Sequence, residues 1–212
     1  MTVTGTNRPR RIVVVSGGLS EPSQSRMLAD RLAAATSSAL TESGLTSETS
    51  VIELRRLAGA ISHALLTHTL TPDLQSAVDQ VLGADGVVTV SPTYKASYSG
   101  LFKSFWDLID EDEFEGTPVL LGATGGTARH SLVIDMAMRP LFAFLKAVIA
   151  PISVFAASED WGSGTSQAGP LHQRITRAGA SFATLLGSTP APSWEHTADE
   201  DEVIPFDQLL HG

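Results

Sequence analysis

The feature that most constrains this chain is a series of five short, almost uninterrupted apolar runs separated by segments of helical periodicity. Residues 11–16 (RIVVVS), 49–54 (TSVIEL), 86–91, 117–123 (TPVLLGA) and 152–156 read as strands. Side chains alternate faces along a strand, so a run without polar alternation must be buried on both faces of its sheet. Helices are expected over 25–41, 60–68, 72–82, 100–110, 131–148 and 167–186, with Pro72 in a first turn and a bend near Pro140. Strands covered on both sides and alternating with helices imply an α/β fold, a doubly wound five-stranded parallel sheet with helices on both faces. Residues 1–188 are expected to form this domain. Residues 189–212, Pro-containing and then acidic, are expected to lie outside it as a C-terminal tail.

Such sheets bind ligands beyond the carboxyl ends of their strands, where the winding reverses. Three unusual segments fall at strand ends. The first, 17–26 (GGLSEPSQSR), pairs a sharp Gly-Gly turn with Ser20, Ser23 and Ser25 at a helix start. Hydroxyls and free helix N–H groups there suit a phosphate, with Arg26 nearby; the same residues also suit a plain capping turn. The second, 91–100 (SPTYKASYSG), carries far more hydroxyl and aromatic chemistry than a cap requires. Thr93 and Tyr94 would project at the sheet edge toward a planar heterocycle, and Ser97 or Ser99 would cap the next helix. Lys95 and Tyr98 read equally as solvated side chains. The third, 123–130 (ATGGTARH), offers Gly125 and Gly126 for close approach of a flat ligand to backbone N–H groups, flanked by Thr124 and Thr127. It also reads as a Gly-rich turn, and His130 as a structural histidine.

Other chemistries are excluded or disfavoured. The net charge of −9 with scattered Lys and Arg argues against nucleic acid. No cysteine is present, and the six His residues lack helical ligand spacing, so no metal site is expected. No G-x-S-x-G elbow, G-x-G-x-x-G fingerprint or Walker loop occurs, and the acidic run 110–115 (DEDEFE) lacks calcium-loop spacing. The first residues lack the apolar core of a signal peptide, so a cytoplasmic protein without membrane attachment is expected.

Taken together, the three loops resemble the NAD(P)H-dependent FMN reductases of the flavodoxin-like superfamily, close to the flavin-supplying reductases of two-component monooxygenase systems. The resemblance runs over about residues 11–161. It is carried by SPTYKASYSGLFKSFWDL (91–108) and LLGATGGTARHSLVIDMAMRPLFAFLKA (120–147), the latter with the pattern TGGT…H…D-x-A-x-(K/R)-P. It implies FMN as cofactor and NADPH or NADH as hydride donor, with no catalytic side chain required. Ser16, Ser23 and Ser25 would match the phosphate-binding positions, with Gln24 where the family often has arginine and Arg26 as its substitute. Pro92, Thr93, Tyr94 and Lys95 would line the ring, Ser97 and Ser99 would close the pocket, and Thr124, Gly125, Gly126 and Thr127 would meet the pyrimidine edge. Residues 135–140 (DMAMRP) match a helix used in family tetramers, with Met136 where relatives often carry an aromatic. A homo-oligomer, dimer or tetramer, and a separate flavin-dependent monooxygenase partner follow from the same resemblance. An azo- or quinone reductase retaining FMN, and a flavin-binding electron carrier without NAD(P)H activity, are the competing readings.

Overall fold

The computed structural model describes residues 8–162 and 169–189; the tail expected from the sequence lies, from residue 190 on, outside the described residues. In chain order the elements are β1 (Arg10–Ser16), α1 (Gln24–Glu42), β2 (Ser47–Glu53), α2 (Ala58–Thr67), α3 (Pro72–Leu82), β3 (Gly86–Tyr94) and β4 (Ser97–Tyr98). These are followed by α4 (Gly100–Trp106), α5 (Glu111–Phe114), β5 (Pro118–Gly125), a π-helical turn (Ile134–Met138), α6 (Arg139–Phe144), β6 (Val148–Ile149), β7 (Val154–Ala157) and α7 (Pro170–Ser188). The sheet order is β2-β1-β3-β5-β6, with β7 also on β5 and β4 on β3. All pairings are parallel except β3 with β4.

The apolar runs of β1, β3 and β5 are buried on both faces, whereas β2, at the edge of the sheet, buries only Ile52 and leaves Val51 exposed. Along β1, Ile12 and Val14 enter a core with Leu28 and Leu32 of α1 and Phe182 of α7. Val13 and Val15 enter the opposite core, with Leu74 and Val78 of α3 and Phe102 and Trp106 of α4. Each fully buried side chain of this size contributes about 1.5–3 kcal/mol relative to an exposed one. Gly179 lets α7 approach α1 closely, because a Cβ there would stand 2.7 Å from Ala35.

Seven strands replace the expected five. The fifth position is divided: β6 pairs with the start of β5 (Pro118↔Val148) and β7 with its end (Gly122↔Val154), and between them Pro151 has no N–H to offer a ladder. The other addition comes from β3, which runs on to Tyr94 and turns back through β4. The helix expected over 131–148 is broken. Pro140 cannot donate to the carbonyl of Met136, and the chain adopts a π-helical turn before α6 in which the Arg139 N–H reaches Ile134 O. The helix expected over 100–110 ends at Trp106.

At the amino edge of the sheet, the buried Asp85 carboxylate accepts hydrogen bonds from Arg8 Nη1 (2.7 Å), Arg8 Nη2 (2.6 Å) and the Arg11 N–H (2.7 Å). Arg10 adds its charge at 3.8 Å. Burial pushes the Asp85 pKa up, but these hydrogen bonds and positive charges together outweigh it and hold the group below its ordinary value. This cluster anchors the start of β1 and leaves the carboxyl edge to other chemistry.

Candidate functional site

Strands β1 and β3 are adjacent while their crossovers depart in opposite directions, so the winding reverses between them. At that point the β1–α1 loop, the end of β3 and the end of β5 enclose a cleft of about 460 Å³, within the range typical of small-molecule sites. Its walls come from all three segments that the sequence marked as unusual.

The first wall is the start of α1. Ser23 is the N-cap, its Oγ accepting from the Arg26 N–H at 3.2 Å, and its carbonyl receives the Met27 N–H at 3.0 Å. That leaves the N–H groups of Gln24 and Ser25, both in the cleft lining, without intrahelical acceptors. Together with the positive end of a 19-residue helix dipole they have the character that suits an anion. Gly18 is needed for close approach, since a Cβ there would fall 2.0 Å from Ser23 Oγ.

The second wall is Pro92, Thr93 and Tyr94. Thr93 Oγ1 is buried and has no hydrogen-bond partner among the described residues. An unmet hydroxyl in a cleft wall fits a ligand that supplies the missing partner. The third wall is Thr124, Gly125 and Gly126. A Cβ on Gly126 would meet nothing within 4 Å, so the space over it is open, whereas one on Gly125 would press Phe155 at 2.8 Å.

Hydrogen bonds lock the three walls together. Ser25 and Thr124, both buried, share a 2.8 Å hydroxyl–hydroxyl bond between the first and third. The Gly17 N–H donates to Val90 O at 2.8 Å, and Ser99 Oγ donates to Gly17 O at 3.4 Å, tying the first to the second. Ser99 also caps α4 and donates its own N–H to Ser91 Oγ at 3.0 Å.

Of the residues singled out from sequence, Ser23, Ser25, Pro92, Thr93, Tyr94, Thr124, Gly125 and Gly126 line this cleft. Ser16 is buried at the end of β1 beneath the lining. Arg26, expected beside the anion site, is drawn away by ion pairs to Asp30 (2.8 Å) and Glu53 (3.2 Å). Lys95 occupies the β3–β4 turn, Thr127 is exposed beyond the Gly-Gly pair, and Ser97, paired with Tyr94 in the hairpin, lines a separate hollow. Leu19, Pro22 and Met27 also line the cleft and were not singled out. The signal available for Leu19 was its place as the lone aliphatic side chain in a polar loop. Leu19, Met27 and Tyr94 all leave large apolar surface open, at 46%, 39% and 47% exposure, which suits a planar ring laid between them. No helix among the described residues is long and apolar enough to cross a membrane.

Residues 10–162 match the family model described as NADPH-dependent FMN reductase. The chain is 38% identical over 179 residues to the FMN reductase (NADPH) of Pseudomonas aeruginosa, covering 84% of this chain and 94% of that one. It is 37% identical over 186 residues to the NADH-dependent FMN reductase SfnF of Pseudomonas fluorescens, covering 88% and 97%. Among solved structures, an oxidoreductase from Corynebacterium diphtheriae superposes with a TM-score of 0.79 at 39% identity, over 86% of this chain and 99% of that one. The apo NADH:FMN oxidoreductase EmoB superposes with a TM-score of 0.73 at 29% identity, over 86% and 92%.

Proposed function

The chain belongs to the NADPH-dependent FMN reductase family, its activity is NAD(P)H-dependent reduction of FMN, and we propose that the cleft between β1, β3 and β5 is where that flavin binds. The observation that carries the assignment is the meeting of three unmet features in one cleft: the free N–H groups of α1, the unpartnered Thr93 hydroxyl and the open approach to Gly126.

Each wall has a task. Ser23 Oγ and the N–H groups of Gln24 and Ser25 hold the flavin phosphate. Thr93 and the backbone of Gly125 and Gly126 meet the polar edge of the ring, and those N–H groups stabilise negative charge that develops there. Leu19, Met27 and Tyr94 cover its apolar surface. When bound, FMN supplies the two-electron hydride chemistry, and the protein supplies position. No side chain in the lining is needed as nucleophile or general acid.

The reduced flavin passes to a separate flavin-dependent monooxygenase in this reading, which the partial exposure of Leu19, Met27 and Tyr94 supports. A homo-oligomer is supported by the apolar side chains beside the π-helical turn, where Leu132, Met136 and Phe144 are mostly exposed. The function is tested by steady-state oxidation of NADH and NADPH with FMN, FAD and riboflavin as acceptors. FMN turnover with at least one nucleotide is expected. Tightly retained yellow FMN combined with faster quinone than free-FMN turnover would overturn the flavin-supplying role.

A further inference from the structure

The chain carries a net charge of −9, yet its hydride donor is a polyanion: NADH bears a diphosphate, and NADPH adds a 2′-phosphate. Approach of such a donor is opposed by the protein's overall field unless the mouth of the cleft carries compensating charge. Few cations are free to supply it. Most of the 14 Lys and Arg residues sit within 4.0 Å of a carboxylate. Among the described residues, Arg11, Arg31, Lys95, Arg129 and Arg177 do not. Arg11 lies at the amino edge of the sheet, Arg31 lies over the Trp161 ring at 5.1 Å, and Arg177 is on α7.

That leaves Lys95 and Arg129, which lie outside the cleft lining on the two segments that continue from its second and third walls. The last ladder pair between β3 and β5 is Pro92 opposite Thr124, two residues before the end of β3 and one before the end of β5, so the segments leaving these strands start from neighbouring positions. Lys95 immediately follows the lining residue Tyr94, and Arg129 lies three residues past Gly126; both are exposed. Lys95 is also held in place. Thr93↔Tyr98 and Tyr94↔Ser97 pairing closes a two-residue hairpin in which Lys95 (φ 50°) and Ala96 (φ 66°) are left-handed, a conformation that favours Gly or Asn. The hairpin keeps a lysine at its tip where a less strained turn residue would serve the fold alone.

We propose that Lys95 and Arg129 form a two-pronged receptor for the phosphate groups of the nicotinamide nucleotide as it enters over the flavin. The inference rests on the reductase reading, and the test keeps the two apart. In the full chain, Lys95→Asn removes the charge while tolerating a left-handed φ, and Arg129→Gln removes the second; Arg177→Gln makes the same charge change on α7, which contributes no residue to the cleft lining. At saturating FMN, the Lys95→Asn/Arg129→Gln double variant should raise KM for the nucleotide about tenfold or more with kcat little changed. NADP+ and NAD+ titrated calorimetrically into the FMN-loaded protein should weaken in parallel, while FMN affinity measured by fluorescence quenching holds and Arg177→Gln behaves as wild type. Loss with both nucleotides assigns the receptor to the diphosphate, and loss confined to NADPH and NADP+ assigns it to the 2′-phosphate. Unchanged KM and calorimetry in the double variant, or an equal effect from Arg177→Gln, would overturn the proposal while leaving wild-type flavin reduction intact. A wild type that binds FMN but oxidises neither nucleotide would instead remove the reductase reading beneath it.

Discussion

Replacing Thr93 by Val should make the empty protein more stable and the flavin complex weaker. The two side chains have nearly the same shape, so the change deletes one hydroxyl and little packing. Thr93 Oγ1 is buried without a partner among the described residues, and a buried unpartnered hydroxyl costs about 1–3 kcal/mol. Relieving its lower end, about 1 kcal/mol, raises the melting temperature by roughly 2–4 °C for a chain of this length. On the proposed assignment, FMN supplies that partner, and the variant then forfeits a hydrogen bond worth about 1 kcal/mol, or roughly fivefold in Kd. The assay is thermal unfolding with and without excess FMN, together with FMN affinity from fluorescence quenching. Thr89→Val is the control. Thr89 Oγ1 is equally buried and unpartnered, but it lies in the middle of β3, opposite Val15 and Leu121. It should gain stability without altering FMN affinity. A Thr93→Val protein that is less stable when empty, or that binds FMN as tightly as wild type, would refute the reasoning.

Other substitutions probe the remaining walls and the far edge of the sheet. Ser23→Ala with Ser25→Ala removes the α1 cap, worth about 1 kcal/mol, and the 2.8 Å bond to Thr124; FMN binding should fall more than riboflavin binding, and equal losses would reduce the loop to a cap. Gly126→Val projects only into open space, so it should weaken FMN with an unchanged circular dichroism melt, whereas Gly125→Val should lower the melt as well by displacing Phe155. Asp85→Asn leaves the partly exposed Arg8 facing a neutral group and weakens the charge-assisted hydrogen bonds at the buried carboxylate, so it should cost about 1.5 kcal/mol in denaturant unfolding. Because the folded Asp85 pKa lies below its ordinary value of 3.8, its contribution is complete above that pH and is lost as pH falls through the folded pKa. The acid limb of the wild-type stability profile should therefore flatten in the Asn variant.

The positions of the strands were legible because burial on both faces leaves a run such as RIVVVS with no polar alternation. The candidate cleft was legible as three strand-end loops for the same reason, since polar and Gly-rich segments stand out between apolar runs. What escaped was set by tertiary geometry. The division of the fifth strand depends on a ladder partner that Pro151 cannot serve, and the run 152–156 alone does not reveal it. The side of α1 that carries Arg26 depends on where Glu53 ends β2, so its ion pairs were invisible to local pattern. Met27 looks like a core position on a helical wheel, yet it is 39% exposed in the cleft lining. The helix expected over 131–148 failed at Pro140 in a way the sequence marked, as a bend, without specifying the π-helical turn.

The cleft draws its walls from residues 18–27, 92–94 and 124–126, segments separated by much of the chain. A molecule seated there acts as a removable cross-link among three strand ends. Ligand present at one hundred times its Kd adds about 2.7 kcal/mol to the folded state, and that increment vanishes when the ligand leaves. On the flavin-supplying reading proposed for this chain, the enzyme becomes less resistant to heat and proteolysis at the end of each delivery. Its durability in a cell then depends on the free flavin pool as much as on its own packing.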